Sequence, residues 1–308
     1  MPSLLDAIGD TPVVQLRSVV PAGAARVFLK LEYYNPTGSY KDRMARSIIE
    51  GAERSGKLKP GVRVVEYTGG STGSSLAMVC AVKGYAFTPI SSDAFAREKL
   101  ETMRAFGADL ILVPSDGGKI TPELFARLKA ELAKQTEQPG VFWADQFHND
   151  DALPGYAAIG EELLQQVDSE ITAFCAAIGT AGMFVGATRA LRAGLPNVRR
   201  VALEPAESPL LSTGTGGAHR VEGIGVGFYP PHLRRDDYDE IRTIPEAEAR
   251  AMARRLAKEE GILAGTSTGM NIAGAIQLAT ELGPQATVVT VACDSGLKYL
   301  AGDLYSQS

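Results

Sequence analysis

Strand-like and helix-like stretches alternate along this chain from residue 27 to residue 292, and no other feature restricts its fold as much. Residues 27–31, 62–67, 87–90, 110–113, 141–143, 173–178, 200–203 and 286–292 are short, mostly apolar or β-branched runs that read as strands. Between them, residues 41–54, 72–83, 96–106, 122–134, 156–167, 183–192, 245–260 and 270–282 carry helical spacing or helix-forming composition. Met44, Ile48 and Ala52 show that spacing in the first of these. Strands separated by helices of this length imply parallel sheets with right-handed crossovers. The alternation breaks between residues 145 and 154, which predicts two α/β domains. One comprises residues 36–145, and the other residues 1–35 plus 146–308.

Charge and cysteine content exclude several classes. Lys and Arg number 31 against 36 Asp and Glu, a net charge of −5, and the arginine pairs are scattered. Such a chain lacks the basic footprint of a nucleic-acid binder. Cys80, Cys175 and Cys293 are an odd, widely spaced set with no CxxC and no clustered histidine. They support neither a metal site nor a disulfide framework, and they fit a reducing compartment, the cytoplasm. Asp6 and Asp10 interrupt any N-terminal secretory pattern, and no apolar run is long enough to span a bilayer.

In open α/β sheets the ligand lies at the carboxyl ends of the strands, where the next helices begin. The joins at residues 35–40, 68–75, 179–182 and 265–269 are rich in Gly, Ser and Thr, so chemistry is expected there. Gly179-Thr180-Ala181-Gly182 follows an apolar strand and opens a helix. Its backbone N–H groups and the helix dipole suit a phosphate, although a tight turn without ligand reads equally well from this segment alone. Gly223-Ile224-Gly225-Val226-Gly227 is not a dinucleotide loop, because Pro230 and Pro231 block a following helix. Lys41 stands in the first turn of a helix, where the dipole disfavours a further positive charge. That setting suits a lysine working as a free amine in Schiff-base chemistry. A phosphate loop and such a lysine together point to pyridoxal phosphate (PLP).

These segments carry a resemblance over nearly the whole chain. Ile8-Gly9-Asp10-Thr11-Pro12 is similar to an opening I-G-N-T-P. Residues 35–43 resemble N-P-T-G-S-x-K-D-R, and Gly179–Gly182 a G-T-G-G loop. Residues 223–228 resemble G-I-G-A-G-F, and residues 265–269 G-I-S-S-G. Asp294-Ser295-Gly296 with Tyr299-Leu300 resembles D-S-G-x-x-Y-L. In this order and spacing they resemble the cysteine synthase and cystathionine β-synthase family of PLP enzymes. The resemblance implies the tryptophan-synthase-β-like fold (fold type II): two three-layer α/β domains with mainly parallel sheets. It implies that Lys41 carries the cofactor as a Schiff base and then acts as general base. Gly179, Thr180, Ala181, Gly182 and Met183 would hold the phosphate, and Ser267 would face the pyridine nitrogen. An N-cap role for Ser267 is a compatible second reading. Thr68, Gly69, Thr72, Gln146 and Gly225 would face the amino-acid substrate, and Ser71 the cofactor's ring oxygen.

The chain also departs from that pattern. Its loop Thr68-Gly69-Gly70-Ser71-Thr72-Gly73 stands where the family has T-S-G-N-T-G. Gly69 therefore replaces a serine and Ser71 an asparagine. Ala181 and Met183 replace a glycine and a threonine in the phosphate loop. Phe95 and Ala96 stand where the family has M-S, and Ala152 and Tyr156 where it has Asn and His. The implied activity is β-substitution on an O-activated L-serine, O-acetylserine or O-phosphoserine, with sulfide to give L-cysteine. A cystathionine β-synthase-like reaction, or another β-replacement or elimination with a different nucleophile, is the alternative. A PLP-binding regulatory partner is the non-enzyme alternative. No metal, nucleic acid or membrane is expected, and the resemblance alone implies a homodimer.

Overall fold

The computed structural model describes residues 2–119 and 121–306. Its strands and α-helices, in chain order, are β1 Val13–Leu16, β2 Arg26–Leu31, α1 Lys41–Arg54, β3 Arg63–Tyr67, α2 Ser71–Lys83, β4 Phe87–Ser92, α3 Arg97–Ala105, β5 Ile111–Val113, α4 Pro122–Thr136 and β6 Val141–Trp143. There follow α5 Ala152–Gln166, β7 Ala173–Ala177, α6 Gly182–Gly194, β8 Arg199–Pro205, α7 Leu210–Thr213, β9 Glu240–Ile244, α8 Glu246–Glu260, α9 Thr266–Leu282 and β10 Thr287–Ala292. The chain divides into two compact units. The first comprises Met1–Ile8 and Lys41–Ala152, the second Gly9–Tyr40 and Leu153–Ser308.

The first unit is built on a four-stranded sheet in the order β5-β4-β3-β6, parallel throughout. Helix α2 packs on β3, β4, α1 and α3, while α4 packs on all four strands. Thr121 caps α4 by accepting the Leu124 N–H at 3.2 Å. Helix α1 is amphipathic, and its Met44, Ala45, Ile48, Ile49 and Ala52 are buried.

The second unit carries a six-stranded sheet in the order β1-β2-β10-β7-β8-β9. All its neighbours are parallel except β1, which runs antiparallel to β2. β7 and β10 are buried from end to end, as expected for central strands of a parallel sheet covered on both faces. Helix α9 lies on β2, β7, β8, β9 and β10, with α8 packed against it. Gly269 permits that approach, because a β-carbon there would run into the Ala249 carbonyl on α8.

Several features differ from the sequence reading, among them the start of α5 at Ala152, four residues before residue 156, and the short α7. β1 and β9 join the sheet edges although neither shows a long apolar run. Their burial is only partial, so the pattern that reveals a central strand is weak in them. Helix α9 begins at Thr266, four residues earlier than its apolar spacing predicts. Its first turn, Thr266-Ser267-Thr268-Gly269, has loop-like composition but helical backbone. That placement also corrects the N-cap reading of Ser267. The N-cap is Gly265, in extended conformation, and Ser267 lies inside the first turn.

Candidate functional site

In the first unit the expected site residues gather at helix starts and at the carboxyl ends of strands. Lys41 is the first residue of α1 and is 9% exposed. The preceding Tyr40 donates its N–H to the Cys293 carbonyl at 3.1 Å, which fixes the chain on entry to that helix. Thr68 follows β3, and its N–H donates to Ile90 of β4 at 2.9 Å. Its hydroxyl accepts the Gly70 N–H at 3.3 Å. Helix α2 then starts at Ser71 behind Gly70, an N-cap with no side chain to offer. In that first turn Gly73 donates its N–H to the Gly70 carbonyl at 3.0 Å.

Gln146 comes from a different part of this unit, the irregular turn after β6. Asp145 opens the turn with φ of +50°, outside the usual region for a side-chain-bearing residue. Gln146 Oε1 accepts the buried Thr72 hydroxyl at 2.7 Å. Thr72 and Gln146, 74 residues apart in sequence, are thereby joined in one site. His148 lies outside it: it is exposed and bonds Asp145 at 2.9 Å.

The sequence reading missed Glu66. It is fully buried on β3, and its Oε2 accepts the Gln146 N–H at 3.0 Å. Its Oε1 accepts N–H groups from Tyr67 at 2.9 Å and Trp143 at 3.4 Å. Glu66 therefore anchors the backbone of the residue that binds Thr72. A lone Glu in a strand facing the core was the available signal, since such a residue requires partners. Burial pushes its carboxyl up to about 8, against the pull of those N–H donors. The folded state then holds a proton that the unfolded chain releases near 4.5. Stability is accordingly expected to fall as pH rises from about 4.5 to about 8, with no further change from this group above that. Urea denaturation at steps across this window checks it: Glu66→Gln should remove that part of the slope, and an unchanged slope would contradict the assignment.

In the second unit Gly179 and Thr180 follow β7, and α6 begins at Gly182. Ala181 is its N-cap, in the left-handed region with φ of +65° and no side-chain bond. Gly182 and Met183 are buried in the first turn. A buried helix start without a capping side chain leaves N–H groups for an anion. Substituting Ala181 for the family's glycine keeps this backbone, and Met183 adds no hydroxyl to it.

The loop at residues 223–227 lies directly beside the phosphate loop. Gly225 donates its N–H to Ile178 at 3.1 Å. A β-carbon on Gly179 would overlap the Gly223 carbonyl oxygen. Gly223, Gly225 and Gly227 have φ of +80°, +60° and +82°, so this loop requires glycine at alternate positions. Tyr156 packs here as well: a β-carbon on Gly182 would lie 3.1 Å from its ring, and Tyr40 meets it edge-on at 5.7 Å. Tyr156 thus stands beside the start of α6. Ala152 is buried at the start of α5.

Ser267 is held by the end of β10. Cys293 donates its N–H to the Thr268 hydroxyl at 2.9 Å, and Gly265 donates to the Asp294 carbonyl at 3.2 Å. Asp294 also accepts the Tyr299 hydroxyl at 2.9 Å. The motif Asp294-Ser295-Gly296 with Tyr299 is therefore a clamp on the start of α9. Asn271, one turn further along, receives the Ala177 N–H at 2.7 Å and donates to the Val291 carbonyl at 2.7 Å, tying β7 to β10 below the phosphate loop. The three cysteines are buried and outside any disulfide, and burial pushes the Cys80 and Cys175 thiols up to about 12. Those two are inert by that measure.

Taken unit by unit, these residues fit PLP in kind: the second unit offers a buried helix start without a capping side chain, of the sort that takes a phosphate, and the first offers a buried lysine at a helix start, of the sort that takes an aldehyde. Known proteins agree. The family model described as pyridoxal-phosphate dependent enzyme matches residues 4–294. A Staphylococcus aureus protein named cysteine synthase is 45% identical over 307 residues, 99% of this chain and 97% of that one. An O-acetyl serine sulfhydrylase isoform 3 from Entamoeba histolytica superposes with a TM-score of 0.92 at 35% identity, covering 100% of this chain and 92% of that one. An O-ureido-L-serine synthase superposes with a TM-score of 0.88 at 37% identity, covering 99% and 95%. The parallel sheets, the helix-start chemistry and this full-length similarity have one conclusion: the chain belongs to the family of pyridoxal-phosphate-dependent enzymes.

Proposed function

We propose that this chain is a cysteine synthase, converting O-acetyl-L-serine and sulfide to L-cysteine and acetate. The observation that carries this reading is its near full-length similarity to the S. aureus cysteine synthase. Bound PLP supplies an electron sink that stabilises negative charge at the substrate Cα. Lys41 would hold the cofactor covalently, and its amine would take the Cα proton as general base. Backbone N–H groups of residues 180–183, with the Thr180 hydroxyl, bind the phosphate. Ser267 would face the ring nitrogen, where a hydroxyl is too weak an acid to keep that nitrogen protonated. A serine at that position would favour loss of the β-substituent. Thr68, Thr72 and Gln146, with amides at the start of α2, hold the substrate carboxylate, while Ser71 meets the cofactor's ring oxygen. Gly225 admits the substrate beside the phosphate loop. Acetate leaves Cβ and sulfide adds there.

The cystathionine-forming alternative is not favoured by the relatives. The test offers O-acetylserine, O-phosphoserine or serine with either sulfide or homocysteine. O-acetylserine with sulfide should exceed every other pair in kcat/KM by about tenfold or more. A preference for serine with homocysteine would overturn the reading. A homodimer follows from the family resemblance, and two chains per particle in solution would support it. A reducing, cytoplasmic setting suits three buried cysteines outside any disulfide. Among the described residues no helix is long and apolar enough to cross a membrane.

A further inference from the structure

Strands β3 and β4 are parallel neighbours, so the loops that leave their carboxyl ends emerge side by side. One is Thr68-Gly69-Gly70, the other Asp93-Ala94-Phe95-Ala96. Each is pinned near its base. Thr68 is bonded to Ile90, and Phe95 donates its N–H to Ser92 at 3.2 Å. Asp93 accepts the Ser115 N–H at 2.7 Å. The half-buried Phe95 ring lies against the Cα of Gly69. A β-carbon at position 69 would overlap Cγ, Cδ1 and Cδ2 of that ring. Gly69 has no positive φ to explain it, so the ring is the reason for glycine at this position.

We propose that Gly69 and Phe95 are a matched steric pair, with Phe95 the specificity-determining residue of the amino-acid pocket. The inference rests on the cysteine-forming reading, in which the loop from Thr68 to Thr72 holds the substrate carboxylate. A side chain at residue 69 would place its own group on that loop and expel the ring. Glycine does the reverse and supplies an apolar aromatic wall. The face of an aromatic ring is electronegative. Such a wall accepts a neutral O-acyl ester on the substrate's Cβ and disfavours a dianionic phosphate ester. The same chain thereby keeps the Thr68 hydroxyl and the Gln146 side chain, which Thr72 orients, for the carboxylate while discriminating by the charge of the leaving group.

A double-mutant cycle tests this with wild type, Gly69→Ser, Phe95→Ala and the double variant, each as holoenzyme. Gly69→Ser should raise KM for O-acetylserine about tenfold while the cofactor absorbance is retained. The double variant should recover most of that loss. Phe95→Ala alone should narrow the O-acetylserine over O-phosphoserine preference in kcat/KM by about tenfold. Equal Gly69→Ser effects with and without Phe95, or an unchanged ester preference in Phe95→Ala, would overturn the proposal. The denaturation midpoint gives a readout independent of turnover: Gly69→Ser should lower it only while Phe95 is present, and an equal drop in both backgrounds would refute the pairing. Failure of wild type to use either ester with sulfide would instead refute the cysteine-forming reading, with the stability cycle still deciding the pair.

Discussion

Lys41→Ala is expected to lower the rate of cysteine formation by about a thousandfold or more, with the fold intact. The expectation comes from three properties of one residue. Lys41 is the first residue of α1, it is buried, and the chain entering it is tethered by the Tyr40 N–H on Cys293. A lysine at a helix start lies at the positive end of the dipole, which disfavours its ammonium form. Alanine is a better helix former than lysine, so α1 itself should survive. On the proposed reading, loss of the amine would remove both the covalent hold on the cofactor and the proton acceptor. Steady-state rates with O-acetylserine and sulfide, together with circular dichroism, provide the check. A small added amine should restore part of the rate. A variant retaining a tenth of wild-type activity would show that another group does the proton transfer.

Gly179→Ala should weaken PLP binding by about tenfold or more and cost about 1–3 kcal/mol of stability. The obstruction is backbone against backbone. The new methyl would overlap the Gly223 carbonyl oxygen, which cannot rotate away as a side chain can. Relief requires the loop at residues 223–227 to move, and Gly225 is tied to Ile178 at the end of β7. The phosphate loop and the substrate-side loop should therefore be disturbed together. Gly223→Ala is the contrast. A β-carbon there meets nothing within 4 Å, and only its φ of +80° resists. That strain costs about 1–2 kcal/mol and leaves the amides of α6 in place. Titrating apo-protein with PLP, alongside urea denaturation, separates the two variants. Equal affinity in Gly179→Ala and wild type would show that the two loops are not packed as described.

Much of this site was legible because its residues announce themselves locally. Lys41 follows a Gly/Ser turn and heads a helix with clear spacing, so its position needed no tertiary information. The glycines at 179, 223, 225 and 227 mark backbone that must turn left-handed or approach other backbone closely. Glu66 was not legible as a site residue, because its importance lies in the distant Gln146 amide it holds. Ser267 was placed in the right segment but in the wrong local structure, since Gly, Ser and Thr look alike in a loop and in a buried helical first turn. The departures at residues 69 and 95 read as two separate changes in sequence. Only the packing of the two loops makes them one.

The alternation of strands and helices, the Lys41 turn and the glycine-rich joins determined an α/β PLP enzyme from sequence alone. They are local signals: periodicity sets secondary structure, and a helix start sets the electrostatics of what sits there. The tertiary structure decided which residues meet. It put Thr72 on Gln146, Gly225 on Ile178, Tyr156 beside Gly182 and Phe95 on Gly69. Those contacts depend on which strands lie side by side and on what each loop finds across from it. No spacing along one chain encodes that neighbour, because the sheet order is chosen by burial of the whole unit.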